Sequence, residues 1–300
     1  MTTRVLAVVL AVLLGPAGAS SAQPKKLKIH VSVDMEGIGG VVTDQQLGPE
    51  GFEYGRFREF MTAEANAAIE AAFAAGATEI VVADSHGNGQ NLLIEKLPKN
   101  VTVVRAWPRP LEMMQGLDSS FDGAIFIGYH ASTTNPAGVR AHTISSVRFA
   151  DVRINGVSMS EAGLNAAIAG HFGVPVLMIA GDDAVVAEAQ KQIGPIEGAV
   201  VKWFISFHSA RTLTPEAAQD AIREKVNRAL ARVGEFKPYK VTAPIRLEIQ
   251  FKNYRPAQLL AYLPIVEQVD AHTIRFTAKD MVEVSKFIAF VTNYDEPLAP

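Results

Sequence analysis

Leu27-Lys28-Ile29-His30-Val31-Ser32-Val33-Asp34-Met35-Glu36-Gly37 is the stretch on which the fold turns. Leu27, Ile29, Val31 and Val33 alternate with Lys28, His30, Ser32 and Asp34, the period of a strand. The strand runs out into two acids and a glycine. Asp34 and Glu36 are two residues apart, so an extended chain points both carboxylates the same way. Working outward, the same design recurs. Ile80-Val81-Val82-Ala83 precedes Asp84-Ser85-His86-Gly87, and Ala124-Ile125-Phe126-Ile127 precedes Gly128-Tyr129-His130. An apolar strand over 174–180 leads into Gly181-Asp182-Asp183. Short continuous apolar runs of this kind are typical of buried parallel strands.

Between these strands the chain offers an Ala-rich helix over 53–75 closed by Gly76, a strand over 101–104 and a helix over 161–171. Asn155-Gly156 is a hairpin turn between a strand over 147–154 and Val157. Strand–helix alternation predicts an α/β fold, a layered α/β/α main domain. The second half reads differently. Thr214 and Pro215 start a helix that runs to 233, with Thr214 as cap and Pro215 at the first helical position. A strand over 240–252, a helix over 256–262, a strand over 273–276 and a helix over 280–291 follow, a smaller α+β C-terminal unit. A soft boundary falls near 195–212, dividing an α/β domain over 23–200 from a smaller α+β domain over 201–300. No internal repeat or low-complexity segment is visible.

Composition narrows the chemistry. The chain has 300 residues, 48% hydrophobic and 20% charged, the balance of a globular protein. With 28 Lys+Arg against 31 Asp+Glu and no basic cluster beyond Lys25, Lys26 and Lys28, nucleic acid is not an expected partner. There are no cysteines, so a metal has to be held by His, Asp and Glu. Residues 1–22 have the marks of an export signal: Arg4, an apolar run over 6–14, and Ser20-Ser21-Ala22 ahead of a cleavage site. The apolar run is too short to span a bilayer. Cleavage after Ala22 leaves a protein with no membrane segment, of net charge −4 rather than −3 once Arg4 is gone, expected in a periplasm or secreted.

Four strands that deliver Asp, Glu and His to one sheet edge suit a divalent transition metal, since open α/β sheets place their sites outside the carboxyl ends of the strands. Each residue has a plainer role open to it. Asp34 and Glu36 are possible loop carboxylates, Asp84 a turn or cap residue, and His130 a core histidine. Ser158-Met159-Ser160-Glu161 has the form of a capping box in which Glu161 reaches back to the helix start. His142 lies in a Gly- and Thr-rich loop, where solvent exposure is the default, and His30, His171 and His208 read as structural. Gly37-Ile38-Gly39-Gly40 and Gly87-Asn88-Gly89 are not phosphate loops: neither leads directly into a clear helix, and the neighbouring carboxylates would repel a pyrophosphate.

Ser32-Val33-Asp34-Met35-Glu36-Gly37-Ile38-Gly39-Gly40 resembles the opening motif of the zinc-dependent D-aminopeptidase family (DppA-type). The similarity continues in order through Met61-Thr62-Ala63-Glu64-Ala65-Asn66, Asp84-Ser85-His86, Gly128-Tyr129-His130-Ala131 and Ala141-His142-Thr143. Glu161-Ala162-Gly163-Leu164-Asn165, Pro175-Val176-Leu177-Met178, Gly181-Asp182-Asp183 and Ala278-Lys279-Asp280-Met281 complete it, so it covers nearly all of the chain after residue 22.

The resemblance implies two Zn2+ ions per subunit, with Asp34, Glu36, His86, His130 and Glu161 as metal ligands. Asp34 would bridge the ions, with Glu36 and His86 on one side and His130 and Glu161 on the other. It implies His142 as the catalytic histidine. Asp84 and Asp182 then stand behind the ligands, to orient an imidazole or the substrate's amine, unless they are turn and cap residues. The implied function is a metallo-aminopeptidase hydrolysing short peptides with an N-terminal D-amino acid, such as D-Ala-D-Ala, through a metal-bridged hydroxide. The implied assembly is a homo-oligomer, a decamer of stacked rings with an enclosed chamber. An amidase or aminopeptidase for L-peptides or other small amides would use the same metal chemistry. A non-catalytic metal- or peptide-binding protein would have no evident use for His142. The chain departs from the family pattern in its export signal, in a longer loop over 132–140, and around His208.

Overall fold

The structure is a computed structural model that describes residues 26–294; the expected export signal at 1–22 lies outside them. Strand β1 (Leu27–Val33) is buried along most of its length, with Ile29, His30, Val31, Ser32 and Val33 all fully covered. It therefore sits inside a sheet, between β2 (Ala77–Asp84) and β4 (Gly123–Tyr129), parallel to both. β3 (Val101–Val104) lies beyond β2. On the other side follow β7 (Val176–Asp182), β8 (Glu197–Ser206) and β9 (Ser209–Thr212). The order is β3-β2-β1-β4-β7-β8-β9, with only β9 antiparallel to its neighbour.

Helices flank this sheet. α1 (Tyr54–Ala74) and α4 (Pro215–Ala231) pack on each other and on the sheet, while α2 (Glu161–His171) and α3 (Asp183–Ile193) pack together against β4, β7 and β8. α1 presents Phe57, Met61, Ala65, Ala68, Ile69 and Ala72 to the core at helical spacing. A second, antiparallel sheet runs β11 (Val266–Gln268), β12 (Thr273–Ala278), β10 (Ile245–Phe251), β5 (Phe149–Ile154) and β6 (Val157–Ser158). α5 (Tyr254–Leu260) and α6 (Met281–Asn293) pack on it. The expected layered α/β fold with a smaller α+β part is the one observed.

The chain divides between the sheets less simply than its composition suggests. Residue 200, the expected end of the first domain, falls inside β8, and residues 197–212 complete the first sheet. Conversely β5 and β6, earlier in the chain, belong to the second sheet. Two further elements differ from expectation. α3 continues directly from β7 because Asp182 caps it, its side chain accepting Val185 N–H. The strand expected over 240–252 starts only at Ile245, just after Pro244, which has no N–H for a ladder. Among the described residues no helix is long and apolar enough to cross a membrane.

Candidate metal centre

β1 and β2 end level with one another, β4 runs two residues further, and the chain beyond these carboxyl ends carries Asp34, Glu36, His86 and His130. The ladders run on past the strands: Asp34 N–H donates to Ile127 O at 2.8 Å and Ser85 N–H to Val33 O at 2.8 Å. Gly37 N–H donates to Gly128 O at 2.7 Å. A Cβ on Gly37 would lie 1.9 Å from Tyr129 O, and one on Gly128, whose φ is +72°, 2.1 Å from Asp34 O. Glycine at both positions lets the turns that carry Asp34, Glu36 and His130 touch. That is the use of these glycines, in keeping with the rejection of a phosphate loop.

Asp34 stands between two histidines. Its Oδ1 is 3.3 Å from His86 Nδ1, and its Oδ2 is 3.3 Å from His130 Nε2. His86 Nδ1 also lies 2.8 Å from Glu36 Oε2, and His130 Nε2 lies 3.4 Å from Glu161 Oε2. The remaining nitrogen of each ring is tied to a carbonyl: His86 Nε2 donates to Leu47 O at 2.7 Å, and His130 Nδ1 to Ala131 O at 3.1 Å. A ligating histidine needs such an anchor to fix its tautomer and ring plane.

Glu161 opens α2, but it does not cap the helix. Ser160 does, accepting Gly163 N–H at 3.1 Å, while Glu161 Oε1 accepts Ile144 N–H at 2.7 Å. The capping-box alternative for Glu161 therefore fails. His142, expected in an exposed loop, is mostly buried; its ring stacks on His130 at 4.1 Å between centroids. His142 Nδ1 donates to Arg140 O at 2.9 Å, leaving Nε2 facing Glu161 Oε1 at 3.7 Å.

The donor set suits metal ions. Ligand atoms of Asp34, Glu36 and His86 fall within 4.8 Å of one another, as do those of His130, His142 and Glu161. Asp34 Oδ2 and His130 Nε2 are buried without a hydrogen-bond partner, although they face each other. A cation between them satisfies both, and carboxylate oxygen with imidazole nitrogen is a zinc donor set.

The electrostatics ask for the same positive charge. Burial raises the Asp34 carboxyl, and Glu36 adds to it. Burial acts likewise on Glu36 and Glu161, but His86 outweighs it at Glu36, held well below the usual range, and His130 at Glu161. Burial favours neutral imidazoles, yet Glu36 and Asp34 raise His86, and Glu161 and Asp34 raise His130, well above the ordinary value. The neighbouring carboxylates thus favour the charged form of both histidines against burial, and bound dications would supply that positive charge instead.

Asp84 and Asp182 lie elsewhere. The Asp84 carboxylate accepts Asn91 N–H at 2.6 Å, Leu92 N–H at 2.7 Å and Asn91 Nδ2 at 2.8 Å. Asn91 Nδ2 in turn reaches His86 O at 2.6 Å, so Asp84 braces the turn of His86 without touching its ring. Asp182 accepts Val185 N–H and Val139 N–H, both at 2.7 Å, as a helix cap that also pins the 132–140 loop.

Three residues escape a sequence reading. Lys202, fully buried on β8, donates from Nζ to Glu36 O, to Ile38 O at 3.3 Å and to Val41 O at 2.7 Å; burial pushes its ammonium down to about 8. Glu64 on α1 accepts Gly39 N–H at 2.9 Å. Both hold the loop that follows Asp34 and Glu36. Glu112 is a buried carboxyl in the wall of the cavity above the ligands. A lysine interrupting the apolar run Val200-Val201 is the one signal that could have flagged Lys202. The cavity, about 530 Å³, is lined by Asp34, Glu36, His86, His142 and Glu161 together with Trp107, Met113 and residues 144–148.

A family model described as D-aminopeptidase, peptidase M55, matches residues 27–290. This chain belongs to that family. The D-aminopeptidase of Bacillus subtilis (strain 168) is 40% identical over 270 residues, 89% of this chain and 97% of that one. The solved structure of the Zn-dependent D-aminopeptidase DppA from Bacillus subtilis, described as a self-compartmentalizing protease, matches with a TM-score of 0.85 at 37% identity. It covers 89% of this chain and 97% of that one. Membership of the D-aminopeptidase family makes the chain a hydrolase of peptide bonds, the enzyme class that the ordered motifs imply.

Proposed function

We propose that this member of the D-aminopeptidase family is a two-zinc exopeptidase for short peptides with an N-terminal D-residue, D-Ala-D-Ala among them. The observation that carries the reading is Asp34, with one oxygen facing His86 and the other His130, each histidine beside a further carboxylate. That is a donor arrangement for two ions sharing a bridge. Glu36 and His86 would hold one ion, and His130 and Glu161 the other. When bound, the pair supplies an activated water and polarises the scissile carbonyl.

The other steps belong to side chains of this protein. With its Nδ1 proton committed to Arg140 O, His142 presents Nε2 as the group that carries a proton to the leaving amine or steadies the developing oxyanion. The stack on His130 fixes the plane of that ring. His142 also stands close enough to His130 and Glu161 to be a ligand, and the zinc content of a His142 variant separates the two roles. Trp107, Met113, Ile144 and Val147 give the cavity apolar walls, and its volume suits a short peptide. The self-compartmentalizing relative supports a homo-oligomer that encloses a chamber, and the family resemblance implies a decamer of stacked rings. The character of residues 1–22 supports export to a periplasm or beyond.

Hydrolysis after zinc reconstitution tests the reading, with D-Ala-D-Ala compared against L-Ala-L-Ala and a chelator control. Chelator-sensitive cleavage of the D-dipeptide alone is expected. Cleavage of the L-dipeptide instead would move the specificity to the amidase or L-peptide alternative. Zinc binding with no cleavage of any peptide or amide would return the protein to the binding class.

A further inference from the structure

We propose that Glu112 binds the α-ammonium of the substrate's N-terminal residue and so makes the enzyme an exopeptidase; the inference rests on the proposed function above. Glu112 lines the same cavity as Asp34, Glu36, His86, His142 and Glu161. Among the described residues it is the only carboxylate in that wall outside the two ligand groups. It is 94% buried, and its Oε1 is shut away from solvent without a hydrogen-bond partner. An unpaired buried carboxyl works against folding and calls for a cation to complete it.

Among the described residues no hydrogen bond or ion pair joins the Glu112 carboxyl to a cationic side chain. Arg109 acts on Glu112 electrostatically but makes no hydrogen bond to it: two of its three nitrogens are committed elsewhere, and Nη1 is buried without a hydrogen-bond partner. Nε donates to Ala106 O at 2.5 Å, Nη2 donates to Asp84 O at 2.6 Å, and the group lies over the Trp107 ring at 3.9 Å. Burial drives the Glu112 carboxyl up to about 8, with Arg109 pulling the other way and Glu161 adding to the rise. The backbone at Glu112 is left-handed, φ +48°, so the residue is held in its place at a cost.

An exopeptidase has to read a free amine, and the other acids are occupied. Asp84 is spent on Asn91 and Leu92, and Asp182 on Val139 and Val185. Asp34, Glu36 and Glu161 belong to the ligand groups. Glu112 remains, as a single carboxylate among Trp107, Met113 and Ser85, with too few donors for a metal and the right charge for one ammonium.

The test is calorimetric binding of D-alaninol, an amine with no cleavable bond, and of N-acetyl-D-alaninol to the zinc-loaded protein, wild type against E112Q. The wild type should prefer the free amine. E112Q should bind D-alaninol about 10- to 100-fold more weakly, bind the acetylated probe as before, and keep its zinc. E112D, which retains the carboxylate, should keep a preference for the amine and serves as the deciding variant if E112Q folds poorly. Unchanged D-alaninol affinity in E112Q, loss of zinc from it, or no amine preference in E112D would each overturn the inference. Amine binding through Glu112 in a protein that cleaves no peptide would leave the inference standing and remove the hydrolytic reading. Cleavage of D-peptides with amine binding indifferent to Glu112 would do the reverse.

Discussion

The two halves of the centre are built by different means. Asp34, Glu36 and His86 come from the ends of two adjacent parallel strands, and His86 sits 2.8 Å from Glu36. Their backbone is clamped from behind by Asp84 and Asn91 and from below by Lys202 and Glu64. His130, Glu161 and His142 come from a strand end, a helix start and a loop, with carboxylate contacts of 3.4 and 3.7 Å. Their loop is held by Asp182 at Val139 and by Arg140, which donates to His208 Nε2 at 2.7 Å and pairs with Asp44. A half made by sheet ends and buried braces is suited to holding charge in place. A half that includes a loop histidine is suited to moving a proton. Asp34 is what joins them.

Breaking that join should have the largest effect. Asp34→Asn is expected to lower zinc below one ion per subunit and abolish peptide hydrolysis, as measured by elemental analysis and a rate assay. Two bound ions in that variant would show that the halves are independent. His142→Ala should next reduce kcat by roughly two to four orders of magnitude while both ions stay bound. Loss of one ion in that variant would make His142 part of the second half's ligand set.

The strands beneath the halves differ too. β1 carries the fully buried His30, which donates from Nε2 to Gln115 O at 3.2 Å; β4 carries, beside its apolar residues, only Tyr129 as a titratable group. Burial lowers the His30 imidazole from 6.5 to about 4, against the pull of the Gln115 carbonyl. Between those values the unfolded chain binds a proton that the folded chain does not, so stability rises with pH and is lost as pH falls from 6.5 towards 4. The loss attributable to His30 should approach about 3 kcal/mol, read as the pH-dependent difference between the wild type and His30→Gln in denaturant unfolding. A difference that does not change with pH would remove His30 from the account. Smallest, Asn91→Ala should weaken zinc in the first half about 10-fold, measured by chelator competition, since it loosens the His86 turn without touching a ligand. Equal weakening of both ions would mean that the braces serve the centre as a whole.

Much of the first half was legible in the linear chain. An apolar strand running into Asp34 and Glu36, and another into His86, announce an edge where charge gathers, because strands alternate and parallel sheets collect their ends. The α/β class, α1, α2 and the Asn155-Gly156 turn follow from the same local rules. Family motifs were needed to add Glu161 and His142, since a helix-start glutamate and a loop histidine each have a commoner role when seen alone. Folding alone decided the rest. Only packing shows that Asp182 is a cap, that Asp84 braces a turn, and that residues 197–212 close the first sheet rather than separate two domains. Only burial turns Lys202 and Glu112 from ordinary charges into a clamp and an unpaired carboxyl. Local sequence dictates which groups a strand or helix presents. Which of them meet, and which go without a partner, depends on contacts between residues far apart in the chain.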